Sequence, residues 1–204
     1  MKPQDQNHDD DEQQPNQFGP YTEFEVETYK ALLKDRVILY NGPIDKSVIE
    51  RIVLPLNRLG RSSKPIKLFI NSPGGSVEDG QMVVDAILTC KAKVITVALG
   101  QAMSAAFDIF LAGDRRIVYP NTILMMHSGS SRFETQTLPQ INKEAELHKR
   151  YFDRWSTWYA SRTNISKDAW CDMLNTGLNY YYFPEEALKA GITHEVIKPV
   201  RKRK

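Results

Sequence analysis

Two polar side chains with the chemistry of an activated nucleophile lie at the borders of apolar segments. Ser104 lies within "GQAMSAAFDIFLAG", among small and apolar residues where a buried helix normally has no hydroxyl group. His127 ends the apolar run "TILMMH". A serine hydroxyl is a poor nucleophile until a neighbouring base takes its proton, and histidine can take it near neutral pH. Ser104 and His127 are therefore a candidate nucleophile and general base.

Backbone amides are the second candidate feature of this site. If Ser104 begins a helix, the amide of Ala105 is one of the free first-turn donors, and it points to where negative charge forms on an attacked carbonyl. Gly75, in "NSPGG", can bring a second amide close because it has no side chain and tolerates unusual dihedral angles. Gly75 and Ala105 are thus a candidate oxyanion hole.

The elements that must position these residues alternate between strands and helices. The apolar runs "RVILYN", "PIKLFI" and "AKVITVAL" each precede a segment with a helical pattern, and "TILMMH" is a further strand. Nearly continuous apolar strands separated by helices predict an α/β domain with a parallel sheet and right-handed crossovers. Loops after such strands meet at one edge. The loops 71–75 and 100–104 and His127 are therefore expected to be neighbours.

The segment from about 138 to 162 predicts one long helix. Apolar residues recur on one stripe at spacings of three, four or seven residues: Ile141, Ala145, Phe152, Trp155 and Tyr159. The segment carries more aromatic side chains than one face needs, which favours a projecting helix that contacts another subunit. Packing of the same side chains on their own domain is the alternative.

Each candidate residue also has a purely structural interpretation. Pro-Gly-Gly is a common turn. Ser104 could be an N-terminal helix residue satisfied by the backbone, and His127 a hydrogen-bonded residue at the end of a strand. Taken singly, both residues favour these structural roles, and only their joint placement favours catalysis.

Composition excludes several classes of protein. The chain has 204 residues, of which 41% are hydrophobic and 25% charged, and this is typical of one globular domain. Its 27 basic and 25 acidic residues leave a net charge of +2, which argues against nucleic-acid binding. Two cysteines and four widely spaced histidines predict no disulfide framework, no metal site and no cofactor.

The distribution of apolar residues predicts the location and the domain boundaries. No apolar run reaches the roughly 18 residues that a membrane span needs, so we expect a cytoplasmic protein that does not bind membranes. Residues 1–20 are polar and acidic and predict a disordered tail. A single domain is expected over 21–198, followed by a solvated basic tail over 199–204.

Four segments carry a resemblance to a known family. The segments "FINSPGGSVEDG", "GQAMSAAF", "PNTILMMH" and "PEEALKAGITHEV" resemble the glycine-rich loop, nucleophile segment, histidine segment and closing helix and strand of the Clp protease proteolytic subunit (ClpP) family. The resemblance runs from about Tyr29 to Ile197. It implies a crotonase/ClpP-like ββα superhelix core with a long projecting handle helix over about 138–162.

The resemblance also implies the roles of individual residues and the partners. Ser104 would be the nucleophile of a serine endopeptidase, His127 the general base, and Gly75 and Ala105 the oxyanion donors. The substrates would be unfolded polypeptides, cut inside a chamber of two stacked homo-oligomeric rings, commonly of seven subunits, that the handle helices interleave. An ATP-dependent unfoldase would be the further partner.

Three residues depart from the family's pattern. Asn179 occupies the position of the usual triad aspartate, where it can orient the imidazole but carries no charge; replacing Asp by Asn in a serine protease triad can cost roughly 10⁴ in turnover. Lys67 and Thr89 stand where aromatic residues of the unfoldase docking pocket are common, which argues against docking of the usual unfoldase. The alternatives are a catalytically impaired ring subunit, a stand-alone virus-type maturation protease and, disfavoured by the Ser–His pair, a crotonase-type acyl-coenzyme A enzyme.

Overall fold

The computed structural model describes residues 22–129 and 137–198. The two tails that the sequence predicts, over 1–20 and 199–204, lie outside the described residues. In chain order the elements are α1 (Glu23–Lys34), β1 (Val37–Asn41), a π-helical turn (Ile49–Val53) that continues into α2 (Leu54–Leu59), β2 (Ile66–Ser72), α3 (Val77–Leu88), β3 (Val94–Met103), α4 (Ala105–Ala112), β4 (Arg115–Val118), β5 (Ile123–Met126), α5 (Leu138–Arg162), α6 (Lys167–Thr176), β6 (Tyr180–Tyr182), α7 (Pro184–Lys189) and β7 (Glu195–Val196).

The strands form one sheet around the long strand β3. The order is β1-β2-β3-β4-β7, and all of these neighbours are parallel. The first part of β3 pairs with β4, and its last part, Gln101 to Met103, pairs with β5. This architecture confirms the predicted α/β fold, because the apolar runs of the sequence are the buried strands and helices lie between them.

Two details of the predicted sheet are wrong. The segment 100–103, predicted as a loop, is the end of β3, because its backbone continues the ladder by pairing with β5. The sheet is also not wholly parallel, since β6 runs antiparallel to β5 with Met126 opposite Tyr180. Three tyrosines in succession, Tyr180–Tyr182, form a short strand without the apolar run that marks the others.

The core lies between the sheet and the buried helix α4. Every residue of α4 is buried, which follows from its sequence, "AAFDIFLA", with a single charged side chain. Phe107 of α4, Tyr159 of α5 and Trp170 of α6 form an aromatic cluster with ring centroids 5.1 to 6.4 Å apart. The cluster fixes the last turns of α5 and the whole of α6 against the helix that follows Ser104.

Helix α5 has the bounds that the sequence predicts. It spans 25 residues, which at 1.5 Å per residue is about 37 Å. Its buried residues are Ser156 and Tyr159, both near the C-terminal end. The N-terminal turns therefore extend away from the core, so the prediction of a long projecting helix is confirmed.

Candidate active site

Ser104 stands at the junction of β3 and α4 in an uncommon backbone conformation. Its φ of +54° lies in the left-handed region that residues with a side chain rarely adopt. It is the N-cap residue of α4, yet its side chain makes no capping hydrogen bond, whereas an N-cap serine usually makes one. Its amide donates to the carbonyl oxygen of Met125 on β5 at 2.8 Å. The junction is thus held by the neighbouring strand, and the hydroxyl is not used by its own helix.

The hydroxyl contacts the predicted base. Ser104 Oγ lies 2.7 Å from Nε2 of His127, which directly follows β5. Both side chains are half-buried, and burial lowers the pKa of the His127 imidazole from its ordinary value of 6.5. A lowered pKa keeps the imidazole neutral at pH 7, the form that can take a proton from a hydroxyl. The structure therefore brings the predicted nucleophile and base together.

The predicted oxyanion donors lie on the two segments that flank Ser104. Ala105 is the first residue of α4, so its amide is a first-turn donor without an acceptor in its helix. Gly75 lies in the loop before α3, where its φ is +152° and a β-carbon would lie 2.1 Å from the carbonyl oxygen of Ile44. Hydrogen bonds of 2.8 Å from the amides of Ile44 and Ser76 hold the loop on the chain that follows β1.

Gly74 contacts Ser104, as expected for the loop 71–75, but the sequence analysis gave this glycine no role of its own. Its φ is +96°, and a β-carbon there would lie 2.6 Å from both the carbonyl oxygen of Met103 and the β-carbon of Ser104. The signal was present in the sequence as the first glycine of "PGG". The close approach of this loop to Ser104 requires a residue without a side chain.

Asn179 lies next to His127 in register, but the two side chains do not hydrogen bond. Met126 is the last residue of β5 to pair and lies opposite Tyr180. His127, directly after β5, and Asn179, directly before β6, therefore lie one position beyond the same end of the ladder. Asn179 is exposed, and its side-chain amide donates to the hydroxyl of Tyr181 at 3.4 Å. Within residues 22–129 and 137–198, no hydrogen bond joins Asn179 to His127.

Asp108 is a residue that the sequence analysis missed. It lies one turn after Ser104 on α4 and is 8% exposed. Its carboxylate oxygens accept hydrogen bonds from the hydroxyl of Tyr159 at 2.6 Å and from the side-chain amide of Gln81 at 3.5 Å. Burial raises the pKa of Asp108 to about 7. The signal was a single carboxylate in an otherwise apolar helix.

Comparison with known proteins identifies the family. The family model described as Clp protease matches residues 21–200. This chain belongs to the Clp protease family. It is 32% identical over 180 residues to the ATP-dependent Clp protease proteolytic subunit of Deinococcus radiodurans, covering 86% of this chain and 87% of that one. It is 36% identical over 128 residues to the subunit of the same description from Carsonella ruddii, covering 61% of this chain and 63% of that one.

The fold of this Clp protease chain also matches a solved structure of the family. A ClpP1 mutant from Listeria monocytogenes, which carries one Asn-to-Asp substitution, superposes with a TM-score of 0.74 at 30% identity. The match covers 85% of this chain and 97% of that chain. The ClpP-like fold that the four sequence segments imply is therefore confirmed, and the chain is a serine protease of the Clp type.

In the part of the Clp protease chain that the structure describes, no three His, Cys, Asp or Glu side chains are placed to hold a metal ion together. Among the same residues, no helix combines the length and the apolar character needed to cross a bilayer.

Proposed function

We propose that this chain is a serine endopeptidase in which Ser104 attacks peptide carbonyls. The observation that carries the proposal is the 2.7 Å contact between Ser104 Oγ and Nε2 of His127, together with a serine side chain that does not cap its own helix. A hydroxyl held in this way is available to a base rather than to the backbone.

The chemistry follows from these atoms. His127 Nε2 takes the proton of Ser104 as Oγ forms a bond to the carbonyl carbon, and the amides of Gly75 and Ala105 donate hydrogen bonds to the carbonyl oxygen as negative charge forms on it. His127 then returns the proton to the leaving amine, which departs and leaves an acyl group on Ser104. Water, deprotonated by His127, attacks the acyl carbon; the bond from that carbon to Ser104 Oγ breaks, and His127 returns the proton to Oγ. None of these reaction steps requires a cofactor.

The proposal is tested by labelling with a fluorophosphonate. We expect one adduct per chain, which peptide-mapping mass spectrometry locates on Ser104. The His127→Ala variant should lose the label, whereas His148→Ala, which changes a histidine on the projecting helix, should keep it. A folded, assembled protein that takes no label on Ser104 would contradict the proposal.

Asn179 is proposed as the orienting partner of His127. Its place in register, one position beyond the pair Met126–Tyr180, puts it within side-chain reach of the imidazole across the ladder. The second candidate function is a catalytically impaired ring subunit. It is favoured by the hydrogen bond that Asn179 donates to Tyr181 instead of to His127. An uncharged partner also leaves the imidazolium unstabilised.

The substitution Asn179→Asp separates these two functions. Because the carboxylate both orients and stabilises the imidazolium, we expect the kcat/KM of a fluorogenic peptide to rise at least about 10-fold, within the roughly 10⁴ that this exchange can be worth. Asn57→Asp, the same change at an exposed position of α2, is the control and should have no effect. Measurable activity in the unchanged protein favours a working protease, and activity that appears only in Asn179→Asp favours the impaired subunit.

The substrates and partners are proposed from the family. We propose that the chain cuts unfolded or small polypeptides as a homo-oligomer of stacked rings, with heptameric rings by resemblance. The relatives from D. radiodurans and C. ruddii are named as ATP-dependent subunits, which supports an unfoldase partner. Exposed Lys67 and Thr89 argue against the usual docking contact and support a stand-alone protease.

A further inference from the structure

A small cavity opens beside the nucleophile and holds the one buried carboxylate of α4. Its lining includes Ser104, Asp108, His127 and the side chains of Met126, Trp155 and Tyr159. Asp108 belongs both to this lining and to the helix that Ser104 begins, since its amide lies 3.4 Å from the carbonyl oxygen of Ser104. A substrate side chain next to the attacked carbonyl would therefore enter a cavity with an acidic wall.

The carboxylate of Asp108 is buried without a cation. Its two hydrogen-bond donors, Tyr159 and Gln81, are both neutral. The ion pairs found within residues 22–129 and 137–198 are Lys30–Glu27, Arg115–Glu195 and Lys167–Asp153, none of which includes Asp108. A buried carboxylate in this position costs stability that an apolar residue would not. The first-turn position in α4 offsets only part of this cost.

The size of the cavity selects among possible cations. The cavity has a volume of about 20 Å³, which is room for a single water molecule. An ammonium group is a compact point charge of similar size, whereas a guanidinium is a wide planar fork. Met126 and Trp155 offer apolar surface for a methylene stem, and a methionine side chain adapts readily to a new neighbour.

We propose that this cavity is the binding site for a lysine side chain of the substrate, and that Asp108 makes the protease select lysine on the amino side of the cut bond. The lysine ammonium donates to the Asp108 carboxylate, which Tyr159 and Gln81 hold in place. The inference rests on the proposed function, because it places the selected residue next to the carbonyl that Ser104 attacks. It assigns Asp108 to specificity and not to bond cleavage.

The test compares peptides that differ only in this side chain. Matched fluorogenic peptides carry lysine, arginine or norleucine, the uncharged analogue with a similar stem, and peptidyl diphenyl phosphonates carry the lysine or norleucine side chain. We expect kcat/KM, or the rate of Ser104 labelling, to favour lysine over norleucine at least about 10-fold, as a charge-assisted hydrogen bond gives. Arginine should fall below lysine.

Asp108→Asn is the decisive variant, because asparagine keeps the shape and can still accept from Tyr159. The lysine-to-norleucine ratio should fall to below about 2-fold, whatever the variant does to overall turnover. Asp85→Asn, the same change at an exposed position of α3, should keep the original ratio. If the unchanged protein does not favour lysine, or if Asp108→Asn keeps the preference, the inference is overturned.

Failure of the inference and failure of the proposed function give different results. A protein that takes the fluorophosphonate on Ser104 but labels equally with the lysine and norleucine phosphonates overturns the lysine site and leaves the protease intact. A protein that takes no fluorophosphonate label overturns both.

Discussion

At Ser104, backbone strain and side-chain position act together. A residue with a side chain in a sparsely populated backbone conformation costs of order 1–3 kcal/mol, and Ser104 accepts this cost at φ +54° and ψ −128°. The burial of all of α4 and the hydrogen bond from its amide to Met125 offset the cost. The strain aims the hydroxyl at His127 instead of at the first-turn amides of the helix, which separates this serine from a structural N-cap.

The first prediction compares two N-cap serines. Ser166 caps α6 by accepting from the amide of Ala169 at 3.2 Å, whereas Ser104 makes no such bond. We expect Ser166→Ala to lower the free energy of unfolding by about 1 kcal/mol, and Ser104→Ala to lower it by about 0.5 kcal/mol, because the half-buried hydroxyl loses its hydrogen bond to His127 and no helix cap. Urea denaturation of the two variants measures the difference. Equal losses would mean that the Ser104 hydroxyl stabilises the fold as much as a helix cap does.

The second prediction concerns pH and the choice of substrate. The pKa of Asp108 is raised to about 7 by burial, so the carboxylate is charged above pH 7 and becomes neutral as the pH falls through 7. The lysine-to-norleucine ratio of kcat/KM should therefore be highest near pH 8 and decline with a midpoint near pH 7. Groups that face Asp108 are Tyr159 of α5, which stays protonated because burial raises its pKa well above 10, and His127 after β5.

The ratio separates Asp108 from His127. Protonation of His127 lowers turnover of both peptides alike, since the base acts on every substrate, and so it cancels in the ratio. The Asp108→Asn variant supplies the control, because its ratio should not change between pH 5.5 and 8. A ratio in the unchanged protein that is independent of pH would contradict a titrating carboxylate in the cavity.

At the scale of elements, the sequence predicts the strands and helices whose apolar residues follow a regular pattern. The apolar runs identify β1, β2, β3 and β5, and the helical pattern over 138–162 identifies α5. Neither pattern identifies β6, because its three tyrosines have no alternation of polar and apolar residues. The helix α1 was also not predicted, although Thr22 and Glu25 form a capping box at its start; none of its residues is buried, so it lacks a clear apolar face.

In the candidate site, too, the sequence predicts some residues and not others. Residue types and topology were enough to bring Ser104 and His127 to one edge of the sheet. Gly74 and Asp108 could not be assigned this way, because their importance depends on the distance between a loop and a side chain, or on which neighbours cover a helix. The extension of β3 through 103, which sets the position of Ser104, depends on pairing with β5 and not on local propensity.

The third prediction tests the loop that packs on Ser104. A β-carbon on Gly74 would lie 2.6 Å from Met103 and Ser104, so Gly74→Ala must displace the segments on either side of Ser104. We expect the rate of fluorophosphonate labelling to fall about 100-fold, as a shift of about 1 Å can cause. The measurement is labelling under conditions where circular dichroism shows the variant folded.

Gly177 provides the matched control for that loop. Its φ of +69° also suits glycine, but no heavy atom lies within 4 Å of the position that a β-carbon would occupy. Gly177→Ala should therefore cost about 1–2 kcal/mol in unfolding free energy and leave labelling of Ser104 unchanged. Equal labelling losses in both variants would trace the effect to general destabilisation.

At the scale of the whole molecule, helix α5 presents apolar surface that its own domain does not cover. Leu147 is 43% exposed and Tyr151 is 45% exposed, and the ring of Tyr151 stacks on Trp155 with a centroid distance of 5.6 Å. These three residues follow one another at spacings of four and lie on one face of the helix. A contiguous exposed apolar face on a projecting helix is typical of a contact between subunits.

The last prediction tests whether this face joins subunits. Leu147→Asp places a charge in a contact that excludes water, so the cost of desolvating it should dissociate the assembly into smaller species. Sedimentation velocity measures the change, and Lys149→Asp, at an exposed polar position two residues on, should sediment as the unchanged protein. If the variant and the unchanged protein sediment alike, this face does not join subunits, since a buried aspartate at the centre of an apolar contact would not be tolerated. Loss of peptidase activity together with dissociation would further indicate that the Ser104 site depends on the assembled ring.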